Sequence, residues 1–187
     1  YLHNVFNATV KDNILYSSGD YLTYTLLGVG VEGSTIENNR ILTNGTGQHH
    51  NYEANKCIDG KNSFNEIYRT YGILLITSSG NQIKSNDVTV TSKLDKTVLN
   101  YNGALCTNSL VGIDAYFDSS DNVFDGNTIL IYGYDNYMYG MGVLGAETNS
   151  GSEEKATNNN FTNNDVTVRG NHMGTGLISG YHSENTL

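Results

Sequence analysis

The chain has 187 residues and a formal net charge of −9, with only 10 Lys and Arg, no Pro, no Trp, 14 Tyr, 21 Gly and 26 Asn. That length suffices for one domain with a core or for several turns of a solenoid. So few cations, none of them clustered, exclude a nucleic-acid surface, which must displace counterions from phosphates, and disfavour an anionic membrane surface. No apolar stretch exceeds about ten residues, too short for a membrane-spanning helix.

Short apolar groups separated by turn formers predict strands and not disorder. A pattern of polar residue, any residue, apolar residue, two small or polar residues, Asn, any residue and apolar strand recurs along the chain. A poor copy opens it, Val10-Lys11-Asp12-Asn13-Ile14-Leu15, and Ser34-Thr35-Ile36-Glu37-Asn38-Asn39-Arg40-Ile41 follows. The later copies are Asn81 to Val90, Asn122 to Ile131 and Asn159 to Val168. Before each full copy stands a second element, a glycine and an apolar strand: Gly28-Val29-Gly30-Val31, Gly72-Ile73-Leu74-Leu75, Gly112-Ile113-Asp114-Ala115 and Gly142-Val143-Leu144-Gly145, with Gly176-Leu177-Ile178-Ser179 starting another round. The asparagines Asn39, Asn86, Asn127 and Asn164 are spaced unevenly. That suits coils with fixed strands and one variable loop, which falls at 44–70, 91–110, 133–140 and 148–157.

The Asn-x-Ile-x-x-Asn-x-Ile/Val pattern resembles the parallel β-helix repeat of the pectate-lyase-like superfamily. The Asn-, Tyr- and Thr-rich, Pro-free style is most similar to the adhesin-like surface proteins of methanogenic archaea. The resemblance implies an all-β, right-handed parallel β-helix of about five irregular coils with long loop insertions, spanning residues 1–187 as a single segment of a longer solenoid. Parallel pairing of successive coils would align Ile36, Ile83, Phe124 and Phe161 as one interior stack, Ile41, Val88, Ile129 and Val166 as a second, and Val29, Ile73, Ile113, Val143 and Leu177 as a third. Asn39, Asn86, Asn127 and Asn164 would form a ladder at a corner, each tolerating left-handed geometry. Leu74, Ile76, Leu144 and Ile178 would face outward beneath loops or a partner. Asn185-Thr186-Leu187 reads as the start of another coil, so further coils or subunits are expected at an open C-terminal end.

Chemistry-bearing residues are sparse. Cys57 and Cys106 fall at similar places in adjacent coils and are candidates for a disulfide; His49-His50 reads as a surface loop. Asp114, Asp118 and Asp121 gather near a strand end, where a solvated turn, a Ca²⁺ site and an acid/base pair are the alternatives. No Arg or Lys lies near them in sequence, and the acidic signatures of the β-helix hydrolases and epimerases are absent. Tyr132, Tyr134, Tyr137 and Tyr139 are candidates for a carbohydrate or protein platform, or else loop packing. Asn7, Asn44 and Asn160 begin Asn-x-Thr sequons, as in an exported glycoprotein. Together these features predict a non-catalytic, adhesin-like protein, extracellular or at the cell surface, with a cell-surface glycan or protein as partner. The chain needs no cofactor unless Ca²⁺ binds. A polysaccharide lyase or glycoside hydrolase, and a structural filament or envelope component, are the competing expectations.

Overall fold

The computed structural model describes residues 1–19, 23–45, 68–92, 108–133, 137–144, 146–147, 153–170, 173–180 and 183–186. Among them there is no helix, and the strands follow one another in coils. The first coil is β1 (Leu2–Phe6), β2 (Thr9–Lys11) and β3 (Ile14–Gly19); the second is β4 (Thr23–Glu32), β5 (Thr35–Glu37) and β6 (Arg40–Gly45). The third is β7 (Tyr68–Ile76), β8 (Gln82–Lys84) and β9 (Asp87–Ser92); the fourth is β10 (Asn108–Tyr116), β11 (Val123–Asp125) and β12 (Thr128–Tyr132). The fifth runs from β13 (Tyr137–Leu144) through a small antiparallel pair, β14 (Ala146–Glu147) and β15 (Glu153–Glu154), to β16 (Ala156–Thr162) and β17 (Asp165–Arg169). Then β18 (Met173–Gly180) and β19 (Ser183–Thr186) begin a sixth.

Equivalent strands of successive coils pair in parallel to form three sheets: A (β1, β4, β7, β10, β13, β18), B (β2, β5, β8, β11, β16, β19) and C (β3, β6, β9, β12, β17). This is the expected right-handed parallel β-helix, with three short strands per coil instead of a closed globule. Two of the three interior stacks lie in the expected register. On sheet B, Val10, Ile36, Ile83, Phe124 and Phe161 align, the two phenyl rings stacked with centroids 4.7 Å apart. On sheet C, Leu15, Ile41, Val88, Ile129 and Val166 align. Most of these side chains are fully buried, so each contributes roughly 1.5–3 kcal/mol of transfer free energy.

The third stack differs from expectation. Ile73 and Ile113 pair with Leu26 and Met141, not with Val29 and Val143; Val29 aligns with Ile76, on the outer face. The difference lies in the glycines. The registers place Gly72, Gly112, Gly140 and Gly176 at one level with Thr25 in coil 2, whereas Gly28 and Gly142 sit elsewhere. A Cβ on Gly112 or Gly140 would collide with Ile129 or Val166 of sheet C. The strand therefore bends inward at this level until backbone meets core, and both the residue before the glycine's neighbour and the one after it lie in the core: Leu110 and Ile113 are each fully buried. In coil 2 the facing residues are small, and the Thr25 hydroxyl fits between Ser17 Oγ and Thr43 Oγ1, each at 2.6 Å.

The asparagine ladder is present and directional. Asn39 donates both its backbone N–H (3.0 Å) and its Nδ2 (3.1 Å) to Asn86 Oδ1. Asn86 treats Asn127 in the same way, and Asn127 treats Asn164. Left-handed geometry falls one residue before the ladder position, on Asp12, Asn38, Ser85, Gly126 and Asn163, and not on the ladder asparagines as expected. The sharp turn is made by that exposed residue, which frees the next side chain to enter the core corner. A second ladder lies at the corner between sheets A and B, where Asn81 donates to Asn122 Oδ1 and Asn122 to Asn159 Oδ1, all at 3.0 Å. It too follows left-handed residues: Gly33, Gly80, Asp121 and Asn158.

Candidate functional site

With the ladders filling the corners, functional side chains must come from the outer sheet faces and turns. On the outer face of sheet A, Leu27, Tyr71, Leu74 and Val111 form a second buried cluster, so this part of the face is covered and not solvated. The expected outward direction of Leu74 and Ile76 holds: they align with Asp114 and Tyr116 and pack on the outer side.

Asp114 lies within this outer layer and is fully buried, not part of a solvated turn. The Tyr139 hydroxyl donates to its Oδ2 at 2.9 Å. Gly142, next to Asp114 in the register, makes this contact possible, since a Cβ there would come 2.6 Å from Tyr139 Cε2 and 2.9 Å from Asp114 Oδ1. Asp118 and Asp121 are exposed in the turn between β10 and β11, Asp121 holding the left-handed corner position. Among the described residues no three His, Cys, Asp or Glu side chains gather to hold a metal ion, so the three aspartates do not form one ligand set.

The tyrosines also separate. Tyr132 is exposed at the end of β12 on the outer face of sheet C, while Tyr139 stands on sheet A, so the two do not share a platform. Tyr137 enters β13, its backbone level with Ser109 and Met173. Tyr134, Cys57, Cys106 and the His49-His50 pair lie outside the described residues. Of the sequon asparagines, Asn7 is exposed with φ of 53°, Asn44 is half-buried on sheet C and accepts from Thr91 Oγ1 at 3.2 Å, and Asn160 is half-buried in β16 level with Val123.

Two features escaped the sequence reading. One is the second ladder, signalled by Asn81, Asn122 and Asn159 each standing five residues before a ladder asparagine. The other is a column of alternating charge on the outer face of sheet B: Lys11, Glu37, Lys84 and Asp125, level from coil 1 to coil 4. Lys11 Nζ lies 3.3 Å from Glu37 Oε2. Above Asp125, the Thr162 hydroxyl (2.6 Å) and Asn163 Nδ2 (2.9 Å) donate to Oδ1. These bonds, with a smaller contribution from Lys84, hold the carboxyl below the ordinary carboxylate range. Such alternation penalises a slip by one coil, because like charges would then face each other.

The fold and faces define the class as a parallel β-helix with ladder-stiffened corners. No protein-family model matches the chain, and neither a curated protein nor a solved structure matches it.

Proposed function

We propose that this chain is a non-catalytic, adhesin-like β-helix that binds carbohydrate or protein at a cell surface, outside the cell. The observation that supports this reading is the run of buried, directional amide ladders through four or more coils, which makes the solenoid a stiff rod with repeated lateral faces. A stiff rod with repeated side groups suits attachment by many weak contacts, because little conformational entropy is lost when they form together. The Asn-x-Thr sequons at Asn7 and Asn160 and the acidic charge accord with an exported protein. Binding of the intact chain to arrays of surface glycans and proteins, with the captured glycans recovered at unchanged chain length, is the expected result.

One observation favours a second reading, a polysaccharide-active enzyme: Asp114 is fully buried and its Oδ2 accepts from the Tyr139 hydroxyl, and buried, hydrogen-bonded carboxyl groups recur at functional sites. Turnover of uronate or neutral polysaccharides that Asp114→Asn abolishes would replace the adhesin reading with this one.

A further inference from the structure

We infer that the outer face of sheet C is a binding strip for a neutral, extended glycan running along the solenoid axis with one sugar per coil. This rests on the surface-binding reading above and supplies its site and ligand class. Successive strands of sheet C are about 4.8 Å apart, close to the length of one sugar in an extended chain. A group repeated at one level on successive coils therefore meets successive sugars.

Two columns have the needed chemistry. The central one aligns Tyr16, Leu42, Thr89, Leu130 and Thr167, all half-buried or exposed. Beside it Asn44, Thr91 and Tyr132 are level on coils 2 to 4. Tyr16 and Tyr132 are 65% and 49% exposed, and they stand three coils apart, roughly 14 Å along the axis, as two aromatic surfaces with Leu and Thr between them. Aromatic and aliphatic groups match the C–H faces of pyranose rings. Thr91 Oγ1 donates to Asn44 Oδ1 at 3.2 Å, which orients the amide and leaves its Nδ2 as a donor and the Thr91 oxygen as an acceptor for sugar hydroxyls.

Charge selects a neutral occupant. The charged residues on this face are Arg40, Asp87, Asp165 and Arg169, two of each sign, and Arg40 Nε lies 4.0 Å from Asp87 Oδ2. The strip is thus formally neutral in a chain of net charge −9, which repels a polyuronate. Ladder asparagines immediately precede β6, β9, β12 and β17, so the strip's backbone is already in its binding arrangement.

The test uses the whole chain produced without N-glycosylation, since the Asn44 sequon lies within the strip. Calorimetric titration compares cellobiose with the neutral hexasaccharides cellohexaose, mannohexaose and xylohexaose, and with hexagalacturonate. At least one neutral hexasaccharide should bind more tightly than cellobiose and than hexagalacturonate. Tyr132→Ala and Leu130→Lys should each weaken it about threefold to tenfold, while Tyr24→Ala, an exposed tyrosine on sheet A, leaves it unchanged; far-UV circular dichroism verifies that each variant is folded. The inference is overturned if no neutral hexasaccharide binds, or if binding survives both sheet C substitutions. In either case, continued capture of array glycans or proteins would leave the surface-binding reading standing, whereas cleavage of the oligosaccharides would overturn that reading itself.

Discussion

Replacing Asn86 by Ala tests the ladder at its centre. Its side chain makes four hydrogen bonds: Oδ1 accepts from Asn39 N (3.0 Å) and Asn39 Nδ2 (3.1 Å), and Nδ2 donates to Ile36 O (2.9 Å) and Asn127 Oδ1 (3.0 Å). In the variant Asn127 Oδ1 still accepts from the residue 86 backbone N–H, which lies at 3.1 Å. The Asn39 N–H and one Asn39 amide hydrogen lose their partners in the interior, and the Ile36 carbonyl loses the Asn86 Nδ2 donor. At about 1–3 kcal/mol for each buried polar group left unsatisfied, the two together cost roughly 2–6 kcal/mol, a large share of the ~5–15 kcal/mol that stabilises a typical domain. Asn13→Ala is the matched control. Asn13 is exposed at the first coil, water can replace its bonds to Lys11 O and Asn39 Oδ1, and the cost should stay near 1 kcal/mol or below. Urea denaturation followed by far-UV circular dichroism measures both. If Asn86→Ala lies within about 1 kcal/mol of Asn13→Ala, burial of the ladder does not make it essential and the reasoning fails.

Glycine substitutions at one level should separate sharply by what the added Cβ would meet. Gly140→Ala drives a methyl into Val166 and to 2.7 Å from Gly176 O, and should lower stability by about 1–3 kcal/mol or more, whereas Gly176→Ala, with nothing within 4 Å, should cost little; thermal melts compare them. Asp125 has a depressed folded-state pKa, so its contribution is present above the ordinary carboxylate range and is lost as pH falls through the folded value; melts of Asp125→Asn should show a weaker fall in stability on acidification than the parent chain. Lys84→Glu places three acidic residues level on sheet B, with Glu37 and Asp125 on either side, and should lower the urea midpoint by an amount that shrinks as salt is added. Tyr139→Phe removes the hydroxyl donor to buried Asp114 and should cost about 1–3 kcal/mol, read from the urea midpoint.

The sequence by itself determined the fold class, two of the three interior stacks and the ladder of Asn39, Asn86, Asn127 and Asn164. These were legible because a parallel coil repeats one residue type at one level, and a buried column tolerates little else. Glycine was less informative, since Gly28, Gly140 and Gly142 look alike in sequence. Only packing shows that Gly140 meets Val166 while Gly142 makes room for the Tyr139 ring beside Asp114. Outer-face chemistry was the least legible. Loops of unequal length separate Lys84 from Glu37, and Asp114 from the other residues of its face, so their neighbours are set by stacking of coils and not by spacing along the chain. Burial of Asp114, separation of Tyr132 from Tyr139 and alignment of Asn44 with Thr91 were all decided by tertiary structure, because levels that touch across coils lie 25 to 47 residues apart in sequence.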